Sequence, residues 1–338
     1  MKAMPAISLV IPVLNGGGYL APQWESFKTS GLFNHLVEII YINDGSTDNT
    51  PELINAFRKT GLCPVNVISN ESSKGRFLAR LQGAEFASGS HILFLDSRLT
   101  ISGQFSEAFG KLISEADCLM GHVDIDIGRN VFCLYWDRTH RVIFRKHFAT
   151  TMERVVMNRQ NVDQFLKGTT VFYTRRDIFI NVCEKFRETP LLNDDTFIIE
   201  EIVGHTPLVL DPTLRINWVP RESMSAFLWR MWERGPSFVE YHVFGRRGLF
   251  FWIVSTGLFS LVLWMIVLVK APIWAISTLL AFLALLMCST VLFSHSLREF
   301  FLLVPVHVAT VLTFCFGILW GIIINILRVA RALRRNFS

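Results

Sequence analysis

Three long stretches without charge limit what this chain can fold into more than any other feature. No Asp, Glu, Lys, Arg or His stands between Leu249 and Val269 or between Ala271 and Ser294, and His307 is the only one between Phe300 and Leu327. Each run reaches the roughly 20 apolar residues needed to cross a hydrocarbon core. Buried helices of a large water-soluble core rarely supply three such runs in succession. The C-terminal third is therefore expected in a membrane, after a water-soluble N-terminal two-thirds. The link Lys270-Ala271-Pro272 is so short that the first two runs most simply form a tight hairpin. Arg246 and Arg247 precede the first run, and Arg328, Arg331, Arg334 and Arg335 follow the last. The positive-inside tendency would put both clusters in the cytoplasm, whereas three complete crossings would separate them. The number of crossings stays open.

The first residues, MKAMPAISLVIPVLN, do not read as a signal sequence. The apolar run is short, broken by Pro5 and Pro12, and has no small-residue cleavage site. It reads as a first buried strand, Ile7–Val13, and the soluble part is expected in the cytoplasm. Scattered cysteines at 63, 118, 133, 183, 288 and 315 form no CxxC pair and suggest neither a disulfide framework nor a zinc site.

Strand-like and helical runs then alternate. Ile7–Val13, Val37–Ile42, Val65–Ile68 and His91–Leu95 read as strands. Leu20–Ser30, Asn49–Thr60 (with Pro51 in its first turn) and Gly75–Ala87 read as helices. This βαβαβαβ order implies a mainly parallel sheet with crossover helices. After about residue 120 the alternation blurs, as in a mixed second half. The expected divisions are 1–219 as one catalytic domain, 220–248 as an amphipathic interfacial segment, 249–327 as the transmembrane region and 328–338 as a basic tail. In the interfacial segment Phe227, Trp229, Trp232, Phe238, Tyr241 and Phe244 interleave with Arg221, Arg230 and Arg234, a mixture suited to lipid headgroups. No RNA-binding signature accompanies it, so nucleic acid is not an expected partner. His140 and His147, flanking Arg141 and Arg145, are expected on a solvated basic face or in contact with lipid phosphate rather than in catalysis.

The stretch EIIYINDGSTDNT, Glu38 to Thr50, bears most on function. An apolar strand runs into a tight turn carrying carboxylates and small hydroxyls. In open α/β sheets ligands bind at such carboxyl edges, where strand ends and helix N-termini leave polar groups facing a crevice.

Taken with SKGRFLARLQGAEFASGSHILFLDSR, LLNDDTFI and FLWRMWERG, the sequences ISLVIPVLN and YINDGSTDNT resemble an inverting family 2 glycosyltransferase with a GT-A fold, over roughly residues 5 to 235. The fold class this implies is α/β: a nucleotide-diphospho-sugar transferase domain, Rossmann-like, followed by C-terminal transmembrane helices. By the same resemblance Pro12 and Asn15 lie beside the nucleotide, Asp44 contacts the base, and Ser46 and Asp48 shape the turn. Lys74, Gly75, Arg76 and Arg80 lie near base and phosphates. Asp96 matches the first acid of the DxD element, which holds ribose and a divalent metal, Mg2+ or Mn2+. Asp195 matches the catalytic base, with Asp194 in the acidic place before it. Arg230, Trp232 and Arg234 resemble a motif that closes over the diphosphate, and Lys167, Gly168 and Thr169 fall in the acceptor-side loop.

One departure puts the metal in question. Where the family has a second acid, the chain reads Asp96-Ser97-Arg98. An arginine repels a cation, and can itself pair with a diphosphate in bidentate geometry. Asp124 and Asp126 form another Asp-x-Asp pair, which strand alternation would put on one face as a second acidic site or as solvated residues.

The expected function is transfer of a sugar from a nucleotide sugar, with UDP-sugars favoured, to a lipid-linked acceptor, either a polyprenyl phosphate or a lipid-linked glycan. It belongs to cell-envelope polysaccharide synthesis at the inner membrane, with multiple spans and a cytoplasmic catalytic face; homo-oligomerisation is left open. The competing expectation is a catalytically degenerate member acting as a nucleotide-binding membrane scaffold.

Overall fold

Alternating β-branched and aromatic residues between turn signals build the sheet of the first unit. The structure is a computed structural model that describes residues 4–149, 153–188, 191–245 and 248–336, without side chains at 149 and 331–336. Two compact units emerge, Met1–Asp126 with Phe144–Val219, and Ile127–Ile143 with Pro220–Ser338. Arg246 and Arg247, and the side chains of Arg331, Arg334 and Arg335, lie outside the described residues.

The strands are β1 (Ile7–Val13), β2 (Glu38–Asn43), β3 (Val65–Ser69), β4 (His91–Leu95), β5 (Leu99–Ile101), β6 (Cys118–Asp124), β7 (Val155–Met157), β8 (Val171–Arg175) and β9 (Leu208–Trp218). The helices are α1 (Leu20–Ser30), α2 (Thr50–Lys59), α3 (Arg76–Phe86), α4 (Gly103–Leu112), α5 (Val131–Ile143), α6 (Arg145–Ala149), α7 (Arg176–Glu184), α8 (Asp194–Ile202), α9 (Met224–Val239), α10 (Leu249–Lys270), α11 (Pro272–Ser289) and α12 (Leu297–Asn336).

In the first unit one sheet runs β3-β2-β1-β4-β8-β6-β9-β5, with β7 added to β9. Its first four strands are parallel, as the βα alternation implies. From β4 onward the sheet turns mixed: β8 pairs antiparallel with both β4 and β6, and β9 is parallel to β6. Of the four parallel strands, β1, β2 and β4 are buried on both faces, which is why they read as nearly continuous apolar runs, while the edge strand β3 is only partly buried. On β1, Ile7, Leu9, Ile11 and Val13 feed one core and Val10 the other. Gly83 sets how closely α3 lies on that sheet: a Cβ there would stand 2.4 Å from Val10 Cγ1.

Between β1, β2 and β3 sits a buried carboxylate. Glu38 accepts hydrogen bonds from the Ser8 hydroxyl (2.8 Å), the Ser88 amide (2.7 Å) and hydroxyl (2.6 Å), and the Asn66 amide nitrogen (2.7 Å). Burial pushes its pKa up, but these donors outweigh it and hold the carboxyl below its ordinary value. His147 departs from expectation: it is buried, with its ring 5.1 Å from that of His122, rather than on a solvated face.

The second unit is helical. Leu249–Lys270, Pro272–Leu292 and Leu297–Ala330 are long and apolar enough to cross a membrane. Only Ala271 separates α10 from α11, and the Trp264 indole donates to the Ala275 carbonyl at 3.1 Å across this hairpin. Gly235 on α9 meets Gly317 on α12 so closely that a Cβ on the former would lie 2.1 Å from the latter's carbonyl carbon. Small residues of this kind allow helices to pack without hydrophobic drive between them. Against α9 and α12 rests α5, with Phe132 stacked on Phe227 at 5.1 Å and Tyr135 hydrogen-bonded to His307 at 3.0 Å. Arg138 forks onto Glu299 at 3.2 and 2.9 Å.

Replacing Glu38 with Ala leaves four donors without their acceptor and is expected to lower stability by about 2 kcal/mol. Because its folded pKa is depressed, the Glu38 contribution is full above the unfolded value of about 4.3 and fades as pH falls through the folded value. The gap between wild-type and Glu38→Ala melting midpoints should therefore narrow in acid; equal midpoints at pH 7 would contradict this role.

Candidate active site

The carboxyl ends of β1, β2 and β4 bring three sequence-predicted residues, Asn15, Asp44 and Asp96, to one edge of the parallel half-sheet. The loops there are tied to each other by side chains. The Asn15 amide donates to Ser46 Oγ (2.9 Å), Gly16 to Thr50 Oγ1 (2.8 Å) and Gly17 to Asp48 Oδ2 (2.8 Å), while Thr47 donates its amide to Asn15 Oδ1 (2.9 Å). Asn15 takes a left-handed backbone, φ 53°, a conformation that asparagine tolerates better than most residues. Against the upward push of burial, the Thr50 and Gly17 bonds hold the Asp48 carboxyl below its usual range. Pro12 is half-buried on β1 opposite Ile42.

Asp44 is 5% exposed and its two oxygens accept four hydrogen bonds. They come from Asn70 Nδ2 (2.8 Å), Ser73 Oγ (2.7 Å) and the amides of Lys74 (2.9 Å) and Gly75 (3.0 Å). Gly45 makes the turn possible, with φ 82° and the Ser72–Ser73 backbone 3.0 Å from where a Cβ would be. The Lys74 side chain is exposed. Sequence patterns had singled out Asp44 and Lys74 but not Asn70, which lies outside the motifs, and Ser73, which opens the SKGR segment, had no role assigned to it; loop closure brings both onto Asp44.

At the end of β4 the Asp96 Oδ1 accepts the Arg98 amide (3.1 Å), and its carbonyl accepts from Gln23 (2.7 Å). The Arg98 guanidinium lies 4.4 Å over the Tyr19 ring and is 9% exposed. A cation stacked and desolvated in this way is firmly placed, and Tyr19 is a partner the motifs did not indicate. Among the described residues no group of three or more His, Cys, Asp or Glu side chains could hold a metal ion. A divalent cation at Asp96 would thus draw one carboxylate from the protein and its other ligands from diphosphate and water, a donor set such cations accept. Asp124 is not available as a second acidic site, because Arg215 on β9 forks onto both its oxygens at 2.7 and 2.6 Å.

The densest cluster joins α3 to the start of α8. Arg80, buried on α3, places Nη1 2.7 Å from Asp194 Oδ2 and 3.1 Å from Asp195 Oδ1. Arg76, one turn earlier, lies 3.2 Å from Asp194 and 3.7 Å from Asp195. Thr169, just before β8, donates its hydroxyl to Asp195 Oδ1. Asp194 and Asp195 are the first residues of α8 and follow Asn193, the N-cap. A helix N-terminus favours negative charge there. Burial first, then the Asp195 charge, push the Asp194 carboxyl above its usual range against the pull of the two arginines. Asp195 is more open, 23% exposed against 2%. Of the expected acceptor-side residues, Thr169 touches the Asp195 carboxylate, Lys167 ends 3.0 Å from Glu200 on the same helix, and Gly168 links the two in the chain.

Arg230, Trp232 and Arg234 lie on α9 in the second unit. Arg230 pairs with Glu233 at 3.2 Å, and the Arg234 guanidinium covers the Trp136 ring at 4.2 Å.

The family model described as Glycosyl transferase family 2 matches residues 8–180, half of the chain. Glycosyltransferase GlyG of Streptococcus pneumoniae is 32% identical over 111 residues, which are 33% of this chain and 36% of that protein. The minor teichoic acid biosynthesis protein GgaA of Bacillus subtilis is 26% identical over 175 residues, 51% of this chain and 37% of that protein. The chain thus spans a little over a third of the length of these relatives. A mannosyltransferase from Pyrobaculum calidifontis, solved in complex with GDP-Man and Mn2+, has the same fold with a TM-score of 0.53 at 15% identity, over 96% of this chain and 88% of that one.

Removing the Asp44 carboxylate as Asp44→Ala deletes four hydrogen bonds worth about 1 kcal/mol each net. The 70–75 loop should open more often, and tryptic cleavage after Lys74 should quicken about tenfold or more. An unchanged rate would mean that other contacts hold the loop.

Proposed function

The chain belongs to glycosyl transferase family 2, and from that membership and the α3–α8 cluster we propose that it transfers a sugar from a nucleotide sugar to a lipid-linked acceptor, inverting the anomeric centre. One observation carries this reading: a partly open carboxylate, Asp195, held by Thr169 and by Arg80 of α3, the helix that follows the amides bound to Asp44. An inverting displacement needs one base. The acceptor hydroxyl oxygen bonds to the sugar's C1 as the bond from C1 to the diphosphate oxygen breaks. That electron pair leaves with the nucleoside diphosphate, and the hydroxyl proton passes to Asp195.

The other residues have compatible tasks. Asn15, Asp44 and Ser46 build the nucleotide end, with uridine the favoured base. Arg98 offers fixed positive charge near the diphosphate. A divalent cation bound at Asp96 would supply further neutralisation of the leaving group. Lys167, Gly168 and Thr169 form the acceptor side. Of the two acceptors considered, one with a free hydroxyl, a lipid-linked glycan, is the one that has a proton for Asp195 to take; a polyprenyl phosphate attacks through an anionic oxygen. Three helices able to span a bilayer suit an amphiphilic acceptor, and the catalytic unit would face the cytoplasm, where nucleotide sugars are made.

Purified protein given radiolabelled UDP- and GDP-sugars with membrane lipid extract should yield labelled organic-phase product from one donor. No product with any donor would sink the acceptor assignment. Asp195→Asn is expected to cut transfer by about 10²–10⁴-fold while donor affinity stays within about threefold. Undiminished envelope glycan in cells carrying Asp195→Asn would favour the scaffold instead, a role to which the Arg98 replacement lends some support.

A further inference from the structure

The three apolar helices of the second unit are alike in composition but not in packing. Among the described residues α10 buries none of its side chains and α11 only Ala275, so both are open and apolar all round, as suits helices surrounded by lipid. α12 instead buries one stripe: Leu303, Val306, Thr310, Gly317, Gly321 and Asn325, spaced as one face of a helix. Its other side, with Phe316, Trp320, Ile323 and Leu327, is exposed and apolar.

Charged groups accompany the stripe from end to end. Arg138 of α5 forks onto Glu299 at its start, and Arg328 pairs with Glu240 near its end. Between them, a Cβ on Gly317 would stand 2.5 Å from the Trp232 carbonyl oxygen and one on Gly235 would stand 2.1 Å from the Gly317 carbonyl carbon, so Glu233 and Arg234 of α9 lie level with Gly317. At the rise of an α-helix these three levels are about 27 and 16 Å apart. Neither interval reaches the roughly 30 Å of a hydrocarbon core, so a crossing α12 would take charged side chains of its partner helices into lipid.

The hairpin of α10 and α11 fixes the direction of α12, because both of its open ends rest there. At the end of α11, Ser289 Oγ lies 2.9 Å from His307 Nε2. At the start of α10, Phe250 packs on Phe238 at 5.3 Å, and Phe238 on Phe314 at 5.4 Å. His307 and Phe314 are about 10 Å apart along α12, which is the spacing of two helices packed side by side. α12 therefore runs across the mouth of the hairpin rather than beside it. A hairpin that stands across a bilayer leaves α12 in the plane of the surface.

We propose that this chain crosses the membrane twice, through α10 and α11 alone, and that α12 is a surface helix whose partner is the lipid layer itself. Its exposed apolar face sinks among the acyl chains, and α9 and α5 cover its other face toward water. This goes beyond the transfer reaction and does not depend on it. It also removes the conflict between the basic clusters of the sequence. Arg246 and Arg247 before α10, and Arg328, Arg331, Arg334 and Arg335 toward the end of α12, stay on one side, the cytoplasmic one by the positive-inside tendency.

The test is labelling of single cysteines by a membrane-impermeant maleimide, from each side of the membrane, in the full-length protein with Cys288 and Cys315 changed to Ala. The probes are Lys270→Cys at the hairpin turn, Glu233→Cys on α9 and Ser338→Cys at the last residue. Lys270 and Glu233 are exposed, so their variants should fold. Lys270→Cys is expected to react only from outside, and Glu233→Cys and Ser338→Cys only from the cytoplasmic side. Reaction of Ser338→Cys from the Lys270→Cys side means three crossings and overturns the proposal. So does a Glu233→Cys or Lys270→Cys that reacts from neither side yet labels in detergent, because α9 would then lie in hydrocarbon or the hairpin would not cross.

Discussion

The buried guanidinium of Arg80, bridging Asp194 and Asp195, is the contact on which the site depends. Two acids side by side at the start of a helix repel each other, and a cation desolvated between them makes the arrangement stable. Taking away one partner of such a pair leaves a buried charge uncompensated, at a cost of about 3–5 kcal/mol. The bridge also does geometric work. It fixes α8 to α3, and Gly83 lets α3 lie directly against β1 and β2. The residues that lead into α3 then bring their amides onto Asp44. One helix therefore sets the position of both the nucleotide turn and the base, although Asp44 and Asp195 are far apart in the chain.

Legibility from sequence followed the range of the interactions. β1, α1 and β4 run between the residues that the alternation predicts, and α2 and α3 differ from expectation by one residue at each end. These elements are set by local patterning and by pairing between successive βα units. β2 is shifted by one residue from the expected Val37–Ile42, starting at Glu38 and ending at Asn43, where its ladders with β1 and β3 continue. The second half of the sheet was only foreseen as mixed. β8 lies between β4 and β6, and β9 takes the three residues of β7 at its side, through pairings that no local period encodes. The acids Asp44, Asp96, Asp194 and Asp195 were identifiable from motifs. Asn70, which holds Asp44, and Tyr19, which holds Arg98, lie outside the motifs, and Ser73, though it opens the SKGR segment, had no part assigned to it, since each is a loop residue placed by closure. Asp124 makes the same point from the other side: an acid pair with Asp126 could be read along the strand, but Arg215 comes from a different strand.

The helical unit relies on close approach and on polar pairs rather than on apolar patterning. Its apolar runs are legible at once but do not say which helices touch. Gly235 against Gly317 and Gly321 against Pro236 bring α9 onto α12, and Asn325 donates to the Pro236 carbonyl there at 3.3 Å. Arg328 pairs with Glu240 at 2.7 Å, and Arg138 with Glu299. The Arg234 guanidinium covers Trp136, so this arginine of the aromatic–arginine segment has a packing role within the unit. The placement of α5 with these helices, far from them in sequence, follows from its aromatic face.

At the centre of this account is a single carboxylate, Asp195, acting as base in one displacement at the sugar's C1. The configuration of the product tests this most directly. Once a donor sugar is found, proton NMR of the transferred residue gives its anomeric configuration from the coupling of its C1 hydrogen. One displacement assisted by Asp195 predicts the anomer opposite to that in the donor. A product that keeps the donor's configuration would contradict the account, because retention requires a second displacement or a route in which Asp195 is not the base.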